Sequence, residues 1–137
     1  ITPLALVPVP TARARVAERG QDLTATLARL AAARLRRSGL PVVVWHGLRQ
    51  VRLPRDQSEL GRDDRLANLA GAFVSGGGPP SGRPVVVDDI VTTGATLVEA
   101  VRALAASGRP AAGAAAVAAT IRRMPRGASG GTGRPSR

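Results

Sequence analysis

Three segments of this chain place apolar residues on both alternating faces with nothing polar between them. They are Leu4 to Val9, closed by Pro8 and Pro10, then Val42-Val43-Val44-Trp45, and Val85-Val86-Val87. A strand that faces water on one side alternates apolar with polar residues. Strands written in continuous valine and leucine are buried on both sides, and that arrangement belongs to parallel sheets covered by helices. Between these runs the period lengthens. Gln21 to Arg37 sets Leu23, Leu27, Leu30 and Ala31 on one helical face and ends at Ser38-Gly39. Leu60 to Ala72 repeats the pattern with Leu66, Leu69 and Ala70 inward. Thr96 to Ser107 does so with Leu97, Val101, Leu104 and Ala105 inward and Gly108 as its cap. A last strand, Ala112 to Thr120, is weakly written because alanine dominates it. Strand, helix, strand, helix, strand, helix, strand predicts an α/β fold: a mainly parallel sheet with helices on both faces. Ligands of such sheets bind beyond the carboxyl ends of the strands.

The 137 residues suit one domain over 1–121, followed by an Arg/Gly-rich tail over 122–137 that has nothing to bury and is expected to be disordered. The chain opens in a strand at Ile1 without Met, which reads as a piece lacking an upstream N-terminal part. With one Trp, one Phe and no Tyr, the core is built from Ala, Val and Leu, and a row of base-stacking rings is excluded. Trp45 and Phe73 each end an apolar run and read as core. Zero Cys excludes disulfides, thiolate nucleophiles and Cys-based zinc sites. The single His46 excludes any site needing two imidazoles, and as a strand-end residue it reads as partly buried with one hydrogen bond. No run of 18 apolar residues occurs, so no membrane span is expected, and the default location is cytoplasmic.

All 20 basic residues are Arg, and the net charge of +11 is uneven. Residues 11–65 hold 12 Arg against 6 acids, residues 66–121 hold 3 against 3, and residues 122–137 hold 5 Arg and no acid. A polyanion such as single-stranded nucleic acid would bind this surplus weakly and without sequence preference. Arg34, Arg36 and Arg37 read as a solvated helix end. The glycines of Ser75 to Pro84 form a flexible loop rather than a phosphate cradle, because no strand leads directly into them and no helix follows.

Chemistry concentrates in Val85 to Thr96, VVVDDIVTTGAT. Asp88 and Asp89 stand at the carboxyl end of a buried strand, and Thr92-Thr93-Gly94-Ala95-Thr96 then enters a helix. A helix N-terminus offers unpaired N–H groups and the positive end of its dipole to a phosphate. Gly94 permits positive φ and close approach, and the threonine hydroxyls donate to phosphate oxygens. The carboxylates suit sugar hydroxyls or a hydrated Mg²⁺. A ribose 5-phosphate carries both groups. A solvated Asp-Asp turn followed by a capped helix would carry the same letters.

This stretch resembles the phosphoribosyl pyrophosphate motif of type I phosphoribosyltransferases: apolar strand, two acids, Thr-Thr-Gly-x-Thr loop. Val7-Pro8-Val9-Pro10 is similar to the Pro-Val-Pro of the ComF-like, competence-type branch. Arg19-Gly20, Arg49, Arg52, Gln57, Arg65, Asn68 and Ala72-Phe73 follow further elements of that pattern, so the likeness covers most of residues 4–121. It departs at Gln21-Asp22-Leu23, where the family tends to show Phe-Asn-Gln, and in lacking a Cys-rich zinc module. The resemblance implies a phosphoribosyltransferase-like fold with a small hood or flexible loop, here residues 47–57, read as an extended, mobile excursion. It implies that Asp88 and Asp89 contact the ribose hydroxyls directly or through Mg²⁺. Val91 to Thr96 would hold the 5-phosphate, and the loop of Pro8, Val9 and Pro10 would face the pyrophosphate. Arg49 and Arg52 would neutralise the leaving group. The activity implied is displacement of pyrophosphate at the anomeric carbon. The alternatives are a non-catalytic phosphoribosyl pyrophosphate or nucleotide sensor and a single-stranded-DNA-handling protein of DNA uptake. A homodimer is a further expectation.

Overall fold

A computed structural model describes residues 2–11, 20–53, 62–77 and 81–120. The tail 122–137, Gln57 and Arg19 lie outside the described residues.

The elements run β1 (Leu4–Pro8), α1 (Leu23–Arg37), β2 (Val42–Val44), β3 (Leu48–Gln50), α2 (Arg62–Leu69), β4 (Phe73–Ser75), β5 (Arg83–Val91), α3 (Ala95–Ala106) and β6 (Gly113–Ala119). Four strands form an all-parallel sheet in the order β2-β1-β5-β6. The expected α/β architecture with a parallel sheet is therefore present. Alternation along β1 and β5 splits the core into two layers. Ala5, Val7, Val9 and Val86 pack beneath α3 with Trp45, Leu69 and Phe73. Leu6, Val42 and Val87 pack beneath Ala28 and Ala32 of α1 on the opposite face. Each fully buried valine or leucine contributes roughly 1.5–3 kcal/mol of transfer free energy, which is why continuous apolar runs were needed here.

The helices bury different faces from those expected. In α1 the buried residues are Thr24, Ala25, Ala28 and Ala32, while Leu30 is 64% exposed. Small side chains let the helix lie close on β1 and β2, so the alanines face the sheet and the leucines flank it. In α3 the buried set is Ala95, Glu99, Ala100, Ala103 and Leu104, while Val101 and Ala105 are exposed. In α2, Leu69 is buried and Leu66 is partly so, but Ala70 is exposed, and the helix stops at Leu69, short of the expected Ala72.

Residues 48–50 and 73–75 form an antiparallel pair, with Arg49 opposite Val74. Within the excursion expected over 47–57, residues 48–50 are therefore a strand. This pair is tied to α3 by an ion pair that sequence reading missed. Glu99, 4% exposed, accepts from the Phe73 N–H at 3.2 Å and from Arg102 Nε and Nη2 at 2.8 and 2.7 Å. Arg102 Nη2 also donates to the Phe73 carbonyl at 3.0 Å. Burial works against the Glu99 carboxylate, but these donors outweigh it and hold its pKa below the usual carboxylate range.

Trp45 and Phe73 are both buried, as expected, whereas His46 is exposed rather than partly buried, because it turns outward between β2 and β3. Gly47 packs on the Trp45 indole so closely that an added Cβ would stand 2.4 Å from the ring. Val43, in the edge strand β2, is 37% exposed, so that strand is not buried on both sides.

Candidate functional site

From β1 the chain steps outward to β2, then returns to the other side of β1 as β5 and continues outward to β6. The direction of winding reverses between β1 and β5. In open parallel sheets the loops at the carboxyl ends diverge at such a reversal and leave a crevice. The two segments singled out from sequence flank it. Pro8 ends β1 opposite Val87, and the Val9 N–H donates to the Val87 carbonyl at 2.9 Å. Val9 is buried and Pro10 half-buried. β5 then runs on through both aspartates to Val91, four residues past the expected valine run.

The two acids are not equivalent. The regular alternation of β5 breaks across them, since the Val87 carbonyl faces β1 and the Val91 carbonyl, four residues on, faces β6. Asp88 is 8% exposed. Burial pushes its carboxyl up to about 6; the Asp89 N–H, donating at 2.8 Å, opposes that rise and the neighbouring Asp89 carboxyl adds to it. Asp89 is half-buried and accepts from the Ile90 N–H at 2.8 Å.

Beyond Val91 the chain turns through Thr92 and Thr93 into α3. Gly94 is the N-cap, with φ 81° and ψ 0°, a left-handed conformation that residues with a Cβ rarely adopt. No side chain caps the helix at this position. The Thr93 hydroxyl accepts from the Ala95 N–H at a long 3.3 Å. Asp88, Val91, Thr92, Thr93, Gly94, Ala95 and Thr96 line one concavity, with Ile90 and Leu97. The expected phosphate-binding residues and one of the two acids are thus brought together. Ile90, 52% exposed, was not singled out from sequence.

No family model and no curated protein matches the chain.

Six expected site residues stand outside the concavity: Asp89, Pro8, Val9, Pro10, Arg49 and Arg52 do not line it. Arg49 is exposed on β3. The Arg52 guanidinium donates to the Asn68 and Ala70 carbonyls at 2.6 Å each, closing the carboxyl end of α2. Among the described residues no cluster of three or more metal-ligating side chains occurs. The site itself therefore offers a Mg²⁺ the Asp88 carboxylate and little else. This donor set suits a hydrated cation that arrives on substrate phosphates, since Mg²⁺ keeps several waters and takes one or two carboxylates.

Proposed function

We propose that this chain is a ComF-like phosphoribosyltransferase domain that binds phosphoribosyl pyrophosphate with Mg²⁺ at the crevice between β1 and β5. The observation that carries this reading is the open entry of α3, Gly94 to Thr96, in one concavity with the buried Asp88 carboxylate. Amides and hydroxyls at the helix start would take the 5-phosphate, as neutral donors backed by the helix dipole. Asp88, on the strand face next to them, would accept from a ribose hydroxyl. In transfer, the bond between the anomeric carbon and the pyrophosphate oxygen breaks while an acceptor bonds to that carbon, and pyrophosphate leaves with the electron pair. The ribose gains oxocarbenium character on the way, and a fixed carboxylate nearby favours that positive charge. Bound Mg²⁺ would neutralise the pyrophosphate, with Asp88 as the protein group able to reach it.

A second reading has its own support. Arg52 is engaged with backbone carbonyls, and neither Arg49 nor Arg52 lines the concavity. A module that holds the ligand without turning it over needs no charge at the leaving group. The two readings part in one experiment. Titration calorimetry with phosphoribosyl pyrophosphate, with and without Mg²⁺, should show Mg²⁺-dependent binding under both. Release of pyrophosphate in the presence of candidate acceptor bases marks the transferase. Binding without release marks the sensor. An absence of binding removes both.

A further inference from the structure

The two edges of the parallel sheet are built differently. At the β2 edge the strand is three residues long. Its outward carbonyl at Val42 is met by Arg36 Nη1 at 2.9 Å, and α1 packs over that side of the sheet. The β6 edge is seven residues long, and every one of them, Gly113 to Ala119, is exposed. Val117 is 70% exposed. Among the described residues β6 has β5 as its single neighbour. The Ala112 and Thr120 N–H groups donate to the Pro84 and Val91 carbonyls at 2.7 and 2.9 Å. In a parallel ladder, alternate residues turn both backbone groups to the same neighbour, so the even-numbered residues face β5. Gly113, Ala115, Val117 and Ala119 therefore turn N–H and C=O outward. Strand edges are ordinarily blunted by a charge, a proline, a bulge or great shortness. The sequence GAAAVAA has neither charge nor proline, and six of its seven residues, all but Val117, have a partner on β5.

We propose that this edge is where a second copy of the chain pairs, β6 against β6 in antiparallel sense about a two-fold axis. Two four-stranded sheets would then run on as one of eight. The contact is the same patch on both copies, as a two-fold interface requires. Its side chains are glycine, alanine and valine, short enough for backbones to meet at strand spacing. Charge selects a like copy over an acidic partner. The chain carries +11, but residues 66–121 hold three Arg against three acids and β6 holds none. An acidic partner would be drawn to the Arg-rich segments elsewhere, whereas this neutral edge lets two basic chains meet without opposing charges of one sign.

Sedimentation velocity on the full chain over a range of concentration and salt tests the pairing. The expected result is a concentration-dependent species of twice 14.0 kDa, favoured by added salt because salt screens the repulsion between the two positive copies. Val117→Lys changes an exposed side chain, and Ala115→Pro removes an outward N–H while leaving the β5 ladder intact. Both variants should sediment as monomers while keeping a cooperative thermal transition. If Ala115→Pro fails to fold, Val117→Lys decides alone. Two results would overturn the proposal: a parent chain that stays monomeric at every concentration and salt, or a dimer that persists in the variants. Slow amide exchange at Ala115 and Val117 in a monomer would also overturn it, since the edge would then be covered from within one chain.

Discussion

α1 and α3 both start at the carboxyl edge of the same sheet, on opposite faces, yet their first turns are finished in contrary ways. α1 is closed by its own sequence. Asp22 is its N-cap, and the carboxylate accepts from the Ala25 N–H at 3.1 Å and from the Thr11 hydroxyl at 3.2 Å. The Thr26 hydroxyl adds a bond to the Asp22 carbonyl at 3.0 Å. A negative group already occupies the place an anion would take. α3 is left open: Gly94 contributes no side chain, and only the long Thr93 contact reaches its first turn. A cap stabilises a helix by about 1 kcal/mol. Forgoing one beside a buried carboxylate makes physical sense where a ligand supplies the missing partner. The lesson is that an anion site is recognised by what the chain leaves unsatisfied as much as by which residues it places there.

The largest expected effect comes from closing the open entry. Gly94→Val forces a β-branched residue toward φ 81° and should abolish phosphoribosyl pyrophosphate binding in calorimetry. In the parent structure nothing lies within 4 Å of the added Cβ, so the loss would come from backbone rearrangement and from obstruction of the ligand. Undiminished binding would break the contrast between the helices.

Asp88→Asn should act in opposite directions on binding and stability. Binding should weaken at least about tenfold with loss of one charge-assisted contact. Stability should rise, because the folded state holds the Asp88 pKa near 6, above its ordinary value of 3.8. For an acid raised on folding, the ionised form is the disfavoured one. Parent stability is therefore unaffected by this group below pH 3.8, falls as pH climbs toward 6, and stays lowered above it. The stability advantage of the Asn variant should grow over that window toward about 3 kcal/mol at most, from two pKa units at 1.36 kcal/mol each. Urea melts of both proteins at pH 4 and pH 7.5 check it. An advantage independent of pH would show that Asp88 does not ionise in a buried setting.

Asp22→Ala should cost about 1 kcal/mol of stability and leave ligand affinity unchanged, because the α1 cap serves the helix alone. Thr93→Ala should have the smallest effect on the fold, within about 0.5 kcal/mol, given the poor geometry of its one bond. Its binding loss should stay below that of Asp88→Asn. A Thr93→Ala loss matching that of Gly94→Val would move the weight of binding from backbone to side chain.

Much of this arrangement was legible in the sequence. Continuous valines announced β5, and Asp-Asp followed by Thr-Thr-Gly marked the turn into α3, because two-sided burial and positive φ each restrict residue choice sharply. The helix faces were not legible. Leucine dominates any hydropathy reading, whereas Ala25, Ala28 and Ala32 face the sheet because closeness there matters more than bulk. Glu99 reads as a surface residue, and only the fold reveals the Phe73 N–H and Arg102 that keep it buried and paired. β3 and β4, three residues each, are too short for period-2 alternation to stand out.

The contrast between the two helix entries is tested most directly by amide chemical shifts during titration with ribose 5-phosphate. The expected result is saturable displacement of the Gly94, Ala95 and Thr96 amide resonances, with those of Leu23, Thr24 and Ala25 at the start of α1 unmoved, and loss of the response in Gly94→Val. Displacement at the start of α1, or none at α3 at saturating ligand, would contradict the assignment of the phosphate to the open helix.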